Sequence, residues 1–448
     1  MTTGPRPLEQ LPVELWAMVI DHHRDDSRTL KRCIRVCRHW VPFARKHLFF
    51  GVVIKEKQIL DAFTHLNEQR PAFVRYVRRL TMVRAAFTPH FGHLWLAVLA
   101  HFDKVAVLIA RRWPNVHMTE RTRLELRHHF PAVKVLRFED LNMAGVDLLA
   151  LARACPQLAE IHLKSVCLNM EPNQIPAPPH IAHPTTQDEH PHVAEGHITV
   201  LSMSAVPQQT GRLVFENALH THLTHLQIGR PDGQSLPAYT LRLLRATKET
   251  LVELVLAISG TATSDLNGLP ATFPWPSGEH VFLRRLKRIH IKTALLESQA
   301  PDAWSRVTPV TWVTHLLERM FEAGRPATLE CITISLRTVD ICDTAGHFSL
   351  QGLNGFLTEL VGRPIPSIVL NICDSVEKKR WTVSILGPIL RHMPILMRWE
   401  ASVVIKYGQR WDAHAAFGGC LVGNVKQHQL EHSQSLRVDR RPVHIFMV

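Results

Sequence analysis

The sequence predicts an α/β chain: a short three-helix unit over residues 8–50, then an irregular solenoid of strand-and-helix repeats over 70–400. A C-terminal cap or tail over 401–448 follows. Three observations carry this expectation. Apolar residues recur at helical spacing in three brief runs before residue 50. An alternating apolar template, L-x-x-L-x-L, then returns along most of the chain. Hydrophobic residues at 46% and charged residues at 20% are ordinary values for a packed protein, so the length is available to build a core.

The first helix begins at Pro12, where a missing N–H is harmless, with Glu14 in the first turn facing the positive end of the helix dipole. Leu15, Met18, Val19 and His22 follow at i, i+3, i+4 and i+7, and Ile20 broadens the apolar face. Asp25, Asp26 and Ser27 interrupt the run and offer caps for a second helix, which carries Leu30, Cys33, Ile34 and Cys37. A third begins near Pro42 with Phe43, Ala44, His47 and Leu48. Three helices this short cannot cover every apolar face among themselves, so another surface must complete the core.

These residues resemble the F-box in its fungal form. The matching pattern is Leu11-Pro12-x-Glu14-Leu15, then Ile20, then Val36-Cys37-Arg38-x-Trp40, then Ala44 and Leu48-Phe49. The resemblance implies a substrate-recognition subunit of a Skp–cullin–F-box ubiquitin ligase, a non-catalytic adaptor. The docking face for the Skp-type linker would include Leu11, Pro12, Leu15, Ile20, Val36, Cys37 and Trp40, and a cullin scaffold would follow through the linker. Two positions depart from the family: His23 and Arg35 stand where apolar residues are usual. If buried they would weaken linker binding.

Behind the helices the template recurs at Val77/Leu80/Met82, Phe102/Val105/Val107, Val133/Leu136/Phe138 and Leu158/Ile161/Leu163. It continues at Ile198/Leu201/Met203, Leu223/Leu226/Ile228, Leu251/Leu254/Leu256 and Leu286/Ile289/Ile291, and ends with Leu329/Ile332/Ile334 and Ile365/Ile368/Leu370. Amphipathic stretches at Ala144–Cys155, Pro237–Thr250 and Val310–Gly324 supply helices between strands. This resembles the degenerate leucine-rich repeats common behind fungal F-boxes. The fold expected is thus α/β, an N-terminal three-helix F-box followed by an irregular leucine-rich-repeat-like solenoid. The Asn or Cys that should follow eight residues after each template start is mostly replaced, by Ala85, Leu141, Val166, Pro231, Ser259 and Arg337, although Cys373 fits. A Pro- and His-rich insertion over 170–196 and a second loop, Gly260–Gly278, break the pattern and are candidates for partner contact.

Composition narrows the function classes. The formal net charge is +13, from 52 Lys+Arg against 39 Asp+Glu, which favours acidic partners or nucleic acid if the charge is clustered. A basic sheet surface would suit an acidic or phosphorylated target, although the sequence does not place the arginines on one face. The start of the chain has no apolar signal-like run and no stretch is apolar enough to span a membrane. Eight scattered cysteines read as reduced thiols, so the expected location is cytoplasmic, nuclear or both. His180, His183, His190, His192 and His197 match no tetrahedral metal spacing, so no metal or cofactor is expected. Phosphate-loop, dinucleotide, nucleophile-elbow and zinc-protease motifs are absent, which leaves no residue to name as catalytic. Two other readings stay open: an interaction scaffold whose F-box has decayed, and a basic nucleic-acid-binding protein. The target protein is unknown from the sequence.

Overall fold

A computed structural model of the chain describes residues 12–55, 71–83, 102–116, 130–169, 198–207, 219–230, 238–261, 281–296, 309–322, 324–337, 344–359, 367–373 and 402–406, with short pieces elsewhere. Contacts divide the chain into two compact units, Met1–His197 and Ile198–Val448.

The first unit opens with α1 (Val13–His22), α2 (Ser27–Val36), a 3-10 turn (Arg38–Trp40) and α3 (Val41–Leu48). Five strands follow: β1 (Gly51–Ile54), β2 (Arg79–Val83), β3 (Val107–Val116), β4 (Val135–Ala144) and β5 (Glu160–Asn169). Each pairs in parallel with the next. Register aligns Leu80, Leu108, Leu136 and Ile161 in one row and Met82, Ala110, Phe138 and Leu163 in the next. All eight are buried, and each fully buried Leu or Ile contributes about 1.5–3 kcal/mol over exposure. The intervening residues, such as Arg137, Glu139, His162 and Lys164, stand on the opposite, half-exposed face. Helix α4 (Gly145–Arg153) joins β4 to β5. Asp147 in its first turn is fully buried and accepts the Met118 N–H at 3.2 Å.

The second unit carries β6 (Val200–Ser204), β7 (His225–Arg230), β8 (Glu253–Thr261), β9 (Arg288–Leu296), β10 (Cys331–Arg337), β11 (Ser367–Cys373) and β12 (Ser402–Lys406). They pair in parallel in chain order. A two-stranded antiparallel pair, β13 (Arg437–Val438) and β14 (Arg441–Pro442), precedes β15 (Ile445–Met447), which pairs in parallel with β12. Leu201, Leu226, Leu254, Ile289 and Ile332 share a row, and all five are buried. Helices α5 (Ala238–Ala246), α6 (Pro309–Phe321) and α7 (Thr344–Glu359) lie between β7 and β8, β9 and β10, and β10 and β11.

One backbone device recurs at the strand starts. The N–H groups of Lys134 and Val135 both donate to the Ala106 carbonyl, at 2.8 and 3.0 Å, and those of Ala159 and Glu160 both donate to Lys134. In the second unit Thr224 and His225 donate to Thr199, Val252 and Glu253 to Thr224, and Lys287 and Arg288 to Val252. Each strand is thereby locked in register with its predecessor before regular pairing begins.

The expected fold class, an F-box followed by a leucine-rich-repeat-like solenoid, is corrected by these observations. The described residues form parallel sheets of an α/β fold with seven helices, of which four join successive strands. The repeat expectation rested on the recurring L-x-x-L-x-L template, one short strand per repeat with helices between. Here the strands run on: β3, β4 and β5 each cover ten residues. Arg112, Asp140 and Ser165 take the left-handed conformation at the matching point of each, with φ of 55°, 55° and 50°. Beyond that point pairing resumes, Trp113 with Leu141 and Leu141 with Val166, and the side-chain phase is reversed. Leu141 and Val166, at two positions expected to hold a polar ladder, are buried apolar residues that extend the sheet's core. The template at Phe102/Val105/Val107 also shifts: register puts Leu108 and Ala110 in the rows of Leu80 and Met82, so the aligned triple is Val105/Leu108/Ala110.

Candidate partner-docking face

The first helices pack around Ile20, Leu30, Cys33 and Ala44, with Ile34, Trp40, Phe43 and Leu48 closing the sides. Local sequence sets each element. Pro12 precedes α1 with extended ψ and accepts the Leu15 N–H at 3.0 Å. Asp26 caps α2, accepting the backbone N–H groups of Arg28 and Thr29 at 3.0 and 3.1 Å and the Thr29 hydroxyl at 2.6 Å. That hydroxyl bond, above all, holds the Asp26 carboxyl below the usual carboxylate range. Pro42 lies in the first turn of α3, where its ring fits. The ring centroids of Trp16 and Trp40 lie 4.8 Å apart, tilted at 49°, joining α1 to the 3-10 turn. Asp21 of α1 contacts His47 of α3 and has Lys46 at 3.9 Å.

Burial of this core leaves apolar surface outside it. Leu15 is 44% exposed, Met18 67% and Val36 61%, and Val13 and Val19 are also exposed. At 100° per residue, Leu15 and Met18 lie on the far side of α1 from Ile20. Large exposed apolar side chains on α1 and at the end of α2 mark a candidate interaction surface.

The residues expected to form the docking face are distributed as follows. Leu15, Val36 and Cys37 are exposed, as is Pro12, and Trp40 is half-buried against Trp16. Ile20 is fully buried among Leu30, Cys33 and Ala44, so it supports the face from within. Leu11 lies outside the described residues. Met18 and Val19 belong to the exposed set although they are not among the expected docking residues; their helical spacing with Leu15 was the available signal. His23 and Arg35 are both exposed, so neither is a buried polar residue within this chain's own helical core.

Other expectations meet the structure only in part. The His-rich insertion over 170–196 and the second loop from 262 to 278 lie outside the described residues. No group of three or more His, Cys, Asp and Glu suited to a metal occurs among the described residues, and no helix among them is long and apolar enough to cross a membrane. Cys33, Cys37, Cys155, Cys167 and Cys331 are free thiols. His290 Nε2 and Ser335 Oγ lie 2.8 Å apart, a pairing across β9 and β10 that only strand register brings together. No family model matches the chain, and comparison with curated proteins found no match.

Proposed function

We propose that the chain is the substrate-recognition subunit of a Skp–cullin–F-box ubiquitin ligase. In this reading α1, α2 and the 3-10 turn dock on the Skp-type linker, and through it a cullin scaffold. The parallel sheets behind them hold a target protein. The observation that supports it is the exposure of Leu15, Met18 and Val36 around a helical core whose own apolar residues are already satisfied. The residue pattern from Pro12 to Phe49 supports it independently. The subunit's contribution would be proximity: it fixes the target near a reactive partner and performs no bond chemistry itself. This role suits the cytoplasm or nucleus, where thiols such as Cys37 and Cys167 stay reduced.

Co-precipitation of the full chain with purified Skp-type linker tests the reading. Wild-type protein retains the linker, whereas Leu15→Asp, which puts a charge in the centre of the exposed row, releases it. Because Leu15 is exposed, that variant keeps the fold, as circular dichroism would verify. A folded wild-type chain that retains no linker contradicts the proposal.

A further inference from the structure

Helix α2 turns a basic stripe to solvent. Arg28, Lys31, Arg32 and Arg35 recur at i, i+3, i+4 and i+7, and all four are exposed, while Leu30 and Cys33 face the core. At 100° per residue the four fall within an arc of about 100°. The helix holds no acidic residue, and the carboxylates just before it are engaged. Asp25 pairs with Arg24 at 3.5 Å, and Asp26 caps the helix. None of the four basic side chains makes a hydrogen bond or ion pair among the described residues. Cations in and beside the sheets are placed differently: Arg111, Lys287 and Arg288 stand 2.8, 2.9 and 2.7 Å from the carboxylates of Glu139, Glu330 and Glu253.

The stripe costs the helix stability. Its members form four like-charge pairs at i, i+3 or i, i+4 spacing, and Arg28 stands near the positive end of the helix dipole. Carboxylates on a partner would offset both. Val36, 61% exposed, lies one turn beyond Arg32 and about 40° around the helix, so the stripe meets the apolar docking row on α2 itself. Charge complementarity and this continuity select the occupant: a protein surface that sets carboxylates beside an apolar patch. A nucleic acid or an anionic membrane fits less well. Helix α2 exposes no aromatic ring for base stacking and no large apolar side chain for acyl chains beyond Val36. We propose that the partner covering α1 and α2 presents an acidic strip to Arg28, Lys31, Arg32 and Arg35, and that this charge sets how fast it docks. On the adaptor reading, on which this rests, that partner is the Skp-type linker and its mating surface is acidic.

The test follows association of purified Skp-type linker with the full chain by biolayer interferometry at low and moderate salt. Association should slow as salt rises, and Arg28→Glu combined with Arg32→Glu should weaken binding about tenfold at low salt, chiefly through slower association. The same double change turns two of the four repulsions into attractions and places an acid in the first turn. Its melting temperature should therefore hold or rise as binding falls, which a merely structural role would not produce. Lys134→Glu combined with Arg285→Glu, at exposed cations elsewhere, alters net charge equally and should leave binding unchanged. Suppose binding is indifferent to salt and to Arg28→Glu with Arg32→Glu, while Leu15→Asp still releases the linker. That result would overturn the acidic strip and leave the adaptor reading standing. Equal loss with the Lys134 and Arg285 pair would assign the effect to net charge and overturn the stripe as well. A folded wild-type chain that binds no linker contradicts both. Capture of single-stranded RNA or phosphatidylserine vesicles, abolished by Arg28→Glu with Arg32→Glu while linker binding is untouched, would give the stripe to another partner.

Discussion

Arg112, Asp140 and Ser165 occupy a conformation that side chains with a Cβ adopt reluctantly, and Ala205 does so after β6 with φ 53°. The cost is about 1–2 kcal/mol per residue, and glycine would escape it. Ala205→Gly should therefore raise the melting temperature, and Ala205→Val, β-branched, should lower it; a fall with both would show that the backbone there is not strained. At the helices, the depressed Asp26 carboxyl sets a pH dependence. A group whose folded pKa lies below its unfolded value adds stability above the unfolded pKa, and that stability disappears as pH drops through the folded one. Acid titration of melting temperature should thus show a drop beneath the ordinary carboxylate range that Asp26→Asn makes smaller. Cys155 gives a chemical readout of burial, since its thiol is pushed up to about 12 by desolvation. A disulfide reagent at mildly alkaline pH should label exposed Cys37 and Cys167 promptly and reach Cys155 only on unfolding. Prompt labelling of Cys155 would contradict its placement.

Among the elements, the apolar rows determine stability. Leu136, fully buried between Leu108 and Ile161, should cost about 2–5 kcal/mol when cut to Ala, measured by denaturant unfolding. Gly211 makes a tighter demand: a Cβ there would lie 2.3–2.4 Å from three carbons of the Tyr239 ring. Gly211→Ala should therefore destabilise the second unit, and Tyr239→Leu should relieve part of that penalty, as a double-mutant cycle would reveal. The strand positions were largely legible from sequence because buried residues alternate: Leu158/Ile161/Leu163 and Leu251/Leu254/Leu256 fall where the structure buries them. The β3 triple was misplaced because Ala110 is too small to signal burial beside Val107. Arg112 and Ala205 gave no signal, being poor turn formers, and Asp140 and Ser165 stood as single turn-type residues inside apolar strands. Their positions hid the extension of β3, β4 and β5 past the L-x-x-L-x-L template. On α1 the periodicity grouped Ile20 with Leu15, although it is the neighbouring helices that decide which side is core.

For the whole molecule, strand register decides which charges share a face: Glu139 and Glu160 stand on the same face of the first unit's sheet as Arg111 and Arg137. Arg79, Arg111 and Arg137 share one sheet face through pairings that no local pattern announces. The adaptor reading proposed above assigns the linker to the N-terminal helices and the target to the sheets. Its central claim is that the exposed row on α1 and α2 is covered by the linker. Calorimetric titration of purified linker into the full chain tests this most directly. The account predicts one-to-one binding with a negative heat-capacity change from apolar burial, weakened at least about tenfold by Met18→Asp in a protein that melts as the wild type does. Absence of binding by the folded wild-type chain, or binding indifferent to Met18→Asp and Leu15→Asp, would contradict it.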